Sequence, residues 1–272
     1  MTGRTVLVTG ANSGLGLATA LELARRGHRV VGTTRSKKKA TALRKAAKAA
    51  GVEVTTELLD VTDASRCDEV IAEVRPEVLV NNAGVGLIAP MEAVADDVAE
   101  HLLATMLIGP MRLARLALPP MRDDGWGRIV NISSIMGRVT MPLSGWYQAA
   151  KHGLEAASDA LRMEVARDGI DVVLVEPGLF ATALLDDLEA DEARYGDERY
   201  RQSYRRVRRG LDQGRPLMGD PADVASTVAR VIDAPRPRAR YLVGNDAQFL
   251  DLTRSLTPTP IQDWLQRSAA GL

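Results

Sequence analysis

The chain has 272 residues, room for one large α/β domain, and 46% of them are hydrophobic, which supplies a sizeable core and excludes a disordered chain. Lys and Arg together number 35, as do Asp and Glu, so no net field draws the protein to nucleic acid or an anionic membrane. The single cysteine, Cys67, excludes an internal disulfide and a thiolate metal site, and no metal is expected.

Met1-Thr2-Gly3-Arg4 runs almost directly into Val6-Leu7-Val8, a first strand, so no signal peptide is expected, and a cytoplasmic protein is the expectation. The strand enters Thr9-Gly10-Ala11-Asn12-Ser13-Gly14-Leu15-Gly16, and a helix follows over 17–26. A second strand is expected at 29–34 and a helix over 37–50, capped by Ser36 and stopped by Gly51. Strand 52–59, helix 64–74 and strand 77–80 lead to Asn81-Asn82-Ala83-Gly84. Residues 91–118 are expected to form one long helix, broken near Gly109-Pro110. Its most apolar part, 102–121, contains Arg112 and Arg115 and fits a buried helix, not a membrane span. Strand 127–132, helix 145–168 and strand 170–175 follow, then Glu176-Pro177-Gly178.

Beyond Thr182 the pattern loosens. Residues 184–210 are densely charged, with Tyr200, Tyr204, Val207 and Leu211 on one helical face. Interleaved tyrosines and arginines also fit nucleic acid, but a solvated helix face with an acidic first half is the better account. A helix over 221–233 capped by Asp220, a strand at 240–243 and a surface tail over 246–272 complete the chain. Strands alternating with helical crossovers, without repeats or a linker, specify a single domain: a parallel sheet with helices on both faces.

Three stretches carry chemistry. Glycines at 10, 14 and 16 let a phosphate approach the backbone, and the helix start offers free N–H groups to a pyrophosphate. Tyr147 and Lys151 lie one turn apart, where an ammonium beside a phenol makes a tunable acid/base. Ser134 follows the fifth strand at the carboxyl edge, where open parallel sheets bind ligands.

Together these residues resemble the short-chain dehydrogenase/reductase family. Its motifs are matched in order by Thr9-Gly10-x-x-x-Gly14-x-Gly16, Asn81-Asn82-Ala83-Gly84, Ser134, Tyr147-x-x-x-Lys151 and Pro177-Gly178-x-x-x-Thr182, across residues 4–182. The look is nearest to members acting on steroid- or retinoid-like alcohols and ketones. The resemblance implies a doubly wound Rossmann fold with a seven-stranded parallel sheet. It also implies hydride transfer between a nicotinamide and a carbonyl or alcohol carbon. Tyr147 would move the oxygen's proton, Ser134 would bind that oxygen, and Lys151 would bind the nicotinamide ribose and lower the pKa of Tyr147. Gly10, Asn12, Ser13, Gly14, Leu15 and Gly16 would cradle the cofactor phosphates. Asp60 and Val61 would flank the adenine, Asn82, Ala83 and Gly84 the adenosine ribose, and Pro177, Gly178 and Thr182 the nicotinamide side. Relatives usually carry an asparagine, thought to hold a water that links Lys151 to solvent, where this chain has Met106, and its loss puts that relay in doubt.

Thr34 and Arg35 stand where NAD-specific sites place an acid, so the cofactor is expected to be NADP(H) with Arg35 the discriminator and Lys37 and Lys38 nearby. The substrate pocket is expected at Leu87, Met136, Met141, Trp146, Leu179, Phe180 and Leu184, with Ile88, Leu143 and Leu185 beside them. That apolar set suits a bulky hydrophobic small molecule. Residues 184–210 would form a lid, and helices 102–118 and 153–165 would pair copies into a homodimer or homotetramer. The competing function is a non-catalytic NADP(H)-binding regulator on the same fold.

Overall fold

The computed structural model describes residues 3–180, 184–214 and 218–272. Seven parallel strands form one sheet in the order β3-β2-β1-β4-β5-β6-β7. They are β1 (Thr5–Val8), β2 (Arg29–Thr34), β3 (Thr55–Leu58), β4 (Val78–Asn81), β5 (Gly127–Ile132), β6 (Ile170–Pro177) and β7 (Arg240–Val243). Alternation along each strand sends side chains to opposite faces, so both faces need apolar cover. Val6 and Val8 pack under α1 (Gly14–Arg25), α2 (Lys37–Ala49) and α9 (Pro221–Asp233). Leu7, Leu79 and Ile129 pack under α3 (Ala64–Val74) and α5 (Gly109–Asp123), with Val165 and Leu161 closing that side at the end of α6 (Gly145–Glu164). Strand order reverses between β1 and β4, and the crevice at their carboxyl ends is where such sheets hold ligands.

The region expected to be one helix from 91 is four pieces. A short 3₁₀ turn, Met91–Ala93, precedes α4 (Asp96–Leu103), and a π-helical turn, Ala104–Ile108, joins α4 to α5. Pro110 has no N–H for the carbonyl four residues back, so the ladder shifts by one: the Gly109 N–H bonds to the Ala104 carbonyl. Gly109 also sits against Val61, where a Cβ would stand 3.0 Å from the Val61 carbonyl oxygen. The continuous helical run Asp96–Asp123 is long and apolar enough to cross a membrane, and half of its most apolar window is buried inside the protein.

The charged segment forms α7 (Leu184–Tyr195) and α8 (Arg201–Gly214). On α8, Tyr204 and Leu211 are buried with Ile88, Leu143 and Leu188, and Val207, with Tyr200 just before the helix, packs against that cluster. The tail is two helices, α10 (Asn245–Leu256) and α11 (Thr259–Ala270), and α11 rests on α8.

Candidate active site

The glycine turn is shaped by its neighbours. Gly10 and Gly14 have φ of 65° and 52°, which side chains disfavour. Gly16 is needed for packing: a Cβ there would lie 2.3 Å from the Asn82 amide nitrogen and 2.4 Å from the Gly10 carbonyl oxygen. Asn82 donates that amide to the Thr9 carbonyl at 2.8 Å, while the Thr9 hydroxyl accepts from the N–H groups of Asn82 and Ala83, both at 2.9 Å. The end of β4 and the turn after β1 are thus one hydrogen-bonded unit. Ser13 precedes α1 without capping it, and no acid lies in the first turn. The N–H groups of that turn are therefore available to an anion.

These residues open onto a cavity of about 640 Å³. Gly10, Asn12, Ser13, Leu15 and Gly16 line it at the helix start, with Asn82, Ala83 and Gly84 opposite. Arg35, Asp60 and Val61 close one end. Gly14 turns the chain without joining the lining. Asp60 feels burial, which raises its pKa, but two hydrogen bonds from Thr62 and the charges of Arg35 and His101 bring it below the usual carboxylate range. Lys39 also lines the cavity, whereas the expected neighbours Lys37 and Lys38 are exposed outside it. Lys39 lies in the first turn of a surface helix, and its sequence carries no signal that it turns inward.

Ser134, Tyr147 and Lys151 share the cavity wall further along. Ser134 leaves β5 and accepts a hydrogen bond from the Met136 N–H at 3.1 Å. Tyr147 and Lys151 are set one turn apart on α6. Burial pushes the Tyr147 phenol up, and Ser134, hydrogen-bonded to it, pulls it back down. Lys151 donates to the Ile132 carbonyl at 2.8 Å. Burial is the larger of the two influences, so the phenol lies above its ordinary value. Burial also lowers Lys151, to about 8, while Glu155 acts to raise it.

Pro177 and Gly178 line the cavity at the end of β6. Asp246, on the first turn of α10, braces them by accepting from the Leu179 N–H at 2.6 Å. Thr182 lies outside the described residues. Met106 is fully buried in the π-turn, lines the cavity, and its sulfur accepts from the Val85 N–H at 3.4 Å.

The apolar end is walled by Leu87, Ile88, Met136, Met141, Leu179 and Phe180. Trp146 does not join them. Its indole donates to the Met91 carbonyl at 3.4 Å, and the ring packs against the buried cluster around Leu102 and Ala150 that also contains Leu87. Helical geometry explains this, because the residue next to Tyr147 must point about 100° away from it. Leu143 packs against α8 instead of the cavity. The side chains of Leu184 and Leu185 lie outside the described set. From the expected lid, α8 adds Val207 and Leu211 of its apolar face, with Arg206 and Gly210 beside them; walls absent from the expected set come from the tail (Leu250, Gln266, Ala269, Ala270). The tail is therefore part of the site as well as a surface extension.

The anion cradle, the basic end and the proton-bearing triad along one cavity fit a nicotinamide dinucleotide. Among the described residues no cluster of His, Cys, Asp and Glu suits a metal ion.

Comparison with known proteins agrees with this arrangement. The profile of the short chain dehydrogenase family matches residues 4–193. Mouse (Mus musculus) retinol dehydrogenase 5 is 35% identical, over 95% of this chain and 86% of its own. A short-chain dehydrogenase from Streptomyces avermitilis superposes with a TM-score of 0.81 at 32% identity, covering 98% of this chain and 97% of that one. A variant of the actinorhodin polyketide ketoreductase with NADPH superposes at 0.78 and 30% identity, over 90% and 98%. The doubly wound sheet, the glycine turn and the Ser134–Tyr147–Lys151 wall thus sit in an oxidoreductase fold, and the chain belongs to the short-chain dehydrogenase/reductase family.

Proposed function

We propose that the protein reduces a ketone on a bulky hydrophobic small molecule with NADPH, or runs the reverse oxidation, with Tyr147 as general acid/base. The observation that carries this is the meeting of Ser134, Tyr147 and Lys151 midway along a cavity that is basic at one end and apolar at the other. Tyr147, held protonated by burial, is suited to give its proton to a carbonyl oxygen. Ser134 orients that oxygen by hydrogen bonding. Lys151 keeps a positive charge near the phenol and stabilises the phenolate left behind. Asn12, Ser13, Leu15 and Gly16 would hold the cofactor pyrophosphate, and Arg35 with Lys39 the 2′-phosphate that distinguishes NADP(H). Asp60, Val61, Asn82, Ala83 and Gly84 would flank the adenosine, and Pro177, Gly178 and Thr182 the nicotinamide. When bound, the cofactor supplies the hydride.

The apolar wall favours a large substrate, in keeping with relatives whose names specify retinol and a polyketide. The protein would act in the cytoplasm as a single-domain homodimer or homotetramer paired through α5 and α6. Segment 184–210 would open and close over the substrate. The test is turnover of NADPH and NADH with a panel of hydrophobic ketones. NADPH-dependent turnover is expected; tight NADPH binding without turnover of any ketone or alcohol would favour the regulatory alternative.

A further inference from the structure

We propose that Glu155 and Glu176 form a buried carboxyl dyad that shares one proton and sets the charge state of Lys151, making both glutamates positioning residues for proton donation by Tyr147. The inference rests on the functional reading above, in which Lys151 supports Tyr147.

Tyr147, Lys151, Glu155 and Asp159 succeed one another at four-residue steps along α6, so they stack on one face. Glu176 enters the same region from β6 and has no exposed surface; Glu155 is 7% exposed. One guanidinium bridges the two: Arg240 of β7 places its Nε 3.3 Å from Glu155 Oε2 and 3.1 Å from Glu176 Oε1. Arg138, after β5, donates to Glu176 Oε2 at 3.1 Å and pairs with Asp251 of α10 at 2.9 Å. Arg240 and Arg162 both pair with Asp159. The second oxygen of Glu155 and Oε1 of Glu176 accept no hydrogen bond among the described residues, and the nearby Ser133 hydroxyl is also without a partner. Gly137 lets these groups crowd together: a Cβ there would meet Ser133 Oγ at 2.8 Å and Glu155 Cγ at 3.0 Å.

The charges explain when a proton belongs on the dyad. Lys151, Arg138, Arg162 and Arg240 face Glu155, Glu176, Asp159 and Asp251, so the cluster is neutral when all are ionised. Discharging Lys151 leaves one excess buried negative charge, which is costly. A single proton on the dyad restores neutrality. Lys151 can therefore release a proton as the dyad takes one up, with both bookings balanced: one N–H bond breaks and one carboxyl O–H forms. Burial and the Glu155 charge raise Glu176 to about 7, against the pull of Arg138 and Arg240, while Lys151 stands at about 8. Glu155 acts on both groups, raising Glu176 and raising Lys151, and so links the two titrations.

The direct measurement is infrared difference spectroscopy of the wild-type protein during a pH titration. A protonated-carboxyl band titrating near neutral pH is expected, and it should vanish in both Glu155→Gln and Glu176→Gln. In Glu155→Gln, losing the charge that raises Lys151 should move the alkaline limb of kcat, and the alkaline fall in NADPH affinity, to lower pH; Glu155→Asp should restore both towards wild type. A wild-type protein with no such band overturns the proposal without need of any variant. Folded glutamine variants with unshifted alkaline limbs also overturn it. Absence of ketone turnover alongside an intact band and a shifted NADPH-binding limb would instead sink the functional reading and leave the dyad standing.

Discussion

At the β1 end of the cavity the wall is backbone; at the α8 end it is side chain. Around the glycine turn, Thr9, Asn82 and Ala83 exchange hydrogen bonds between 2.8 and 2.9 Å, and an added methyl at Gly16 has nowhere to go. At the other end, Val207, Leu211, Leu250 and Ala270 meet the cavity from helices that join no strand. Two groups pin α8 there. The fully buried Tyr204 donates to the Ile88 carbonyl at 3.0 Å, and Tyr200 donates to Glu92 at 2.6 Å. A third contact, the Ile88 N–H to Asp191 at 2.8 Å, ties the same loop to α7. Backbone-built walls fix one ligand shape, whereas apolar side-chain walls tolerate many, so cofactor recognition and substrate range can vary separately.

The midpoint between the two ends should be the most sensitive. Tyr147→Phe keeps the ring and removes the proton, so kcat is expected to fall by ~10²–10⁴, with NADPH affinity by fluorescence titration unchanged. If binding fell as much as turnover, Tyr147 would belong to the cofactor end.

Gly16→Ala should cost about 1–3 kcal/mol of stability or NADPH affinity, because Asn82 and the Gly10 carbonyl must move apart. Its counterpart Gly210→Ala, on α8 with nothing within 4 Å of the added Cβ, should cost nothing and gain up to roughly 1 kcal/mol in helix propensity. Denaturant unfolding of both reads the contrast, and equal losses would erase it.

Arg35→Ala should reduce the preference for NADPH over NADH, measured as kcat/KM, by about tenfold, the worth of one charge-assisted hydrogen bond at a partly open site. Lys39→Ala should act in the same direction by less. A preference untouched by either would remove both from cofactor choice.

Tyr204→Phe leaves the Ile88 carbonyl unpaired and should cost ~1 kcal/mol in closure of α8. Its burial already holds the phenol neutral, with a pKa raised to about 12, so the effect should not depend on pH below that range. KM for the ketone should rise several-fold while NADPH affinity stays put; a matching rise for NADPH would mean that α8 serves both ends.

Most of the sheet and the proton-bearing wall were legible because their signals are local. The strand at Arg29–Thr34 and the helices at Ala64–Val74 and Pro221–Asp233 follow from apolar runs, caps and stops, and the structure places them at those bounds. Tyr147 and Lys151 share a face by spacing alone. The missed features depend on contacts distant in sequence. Pro110 marked a disturbance, but whether it kinks the helix or inserts a π-turn depends on Val61 packing against Gly109. Lys39 lines the cavity because of how α2 sits on β2. Trp146 is apolar and next to Tyr147, which composition counts in its favour and helical rotation counts against. The bridge from Arg240 to Glu155 and Glu176 joins β7, α6 and β6, and no spacing along the chain announces it.

The sheet is complete at Val243, and residues 245–272 contribute no strand, yet Leu250, Gln266, Ala269 and Ala270 shape the cavity. That arrangement makes the substrate wall modular. Replacements, grafts or changes in helix length after β7 would remodel this wall while the sheet, the glycine turn and the Ser134–Tyr147–Lys151 wall stay intact. Two tethers must survive such exchange: Asp246, whose carboxylate holds the Leu179 N–H and would collide with any side chain placed at Gly178, and Asp251, which pairs with Arg138. Selection for a new substrate can thus act on α10 and α11 almost free of the constraints that govern the rest of the chain.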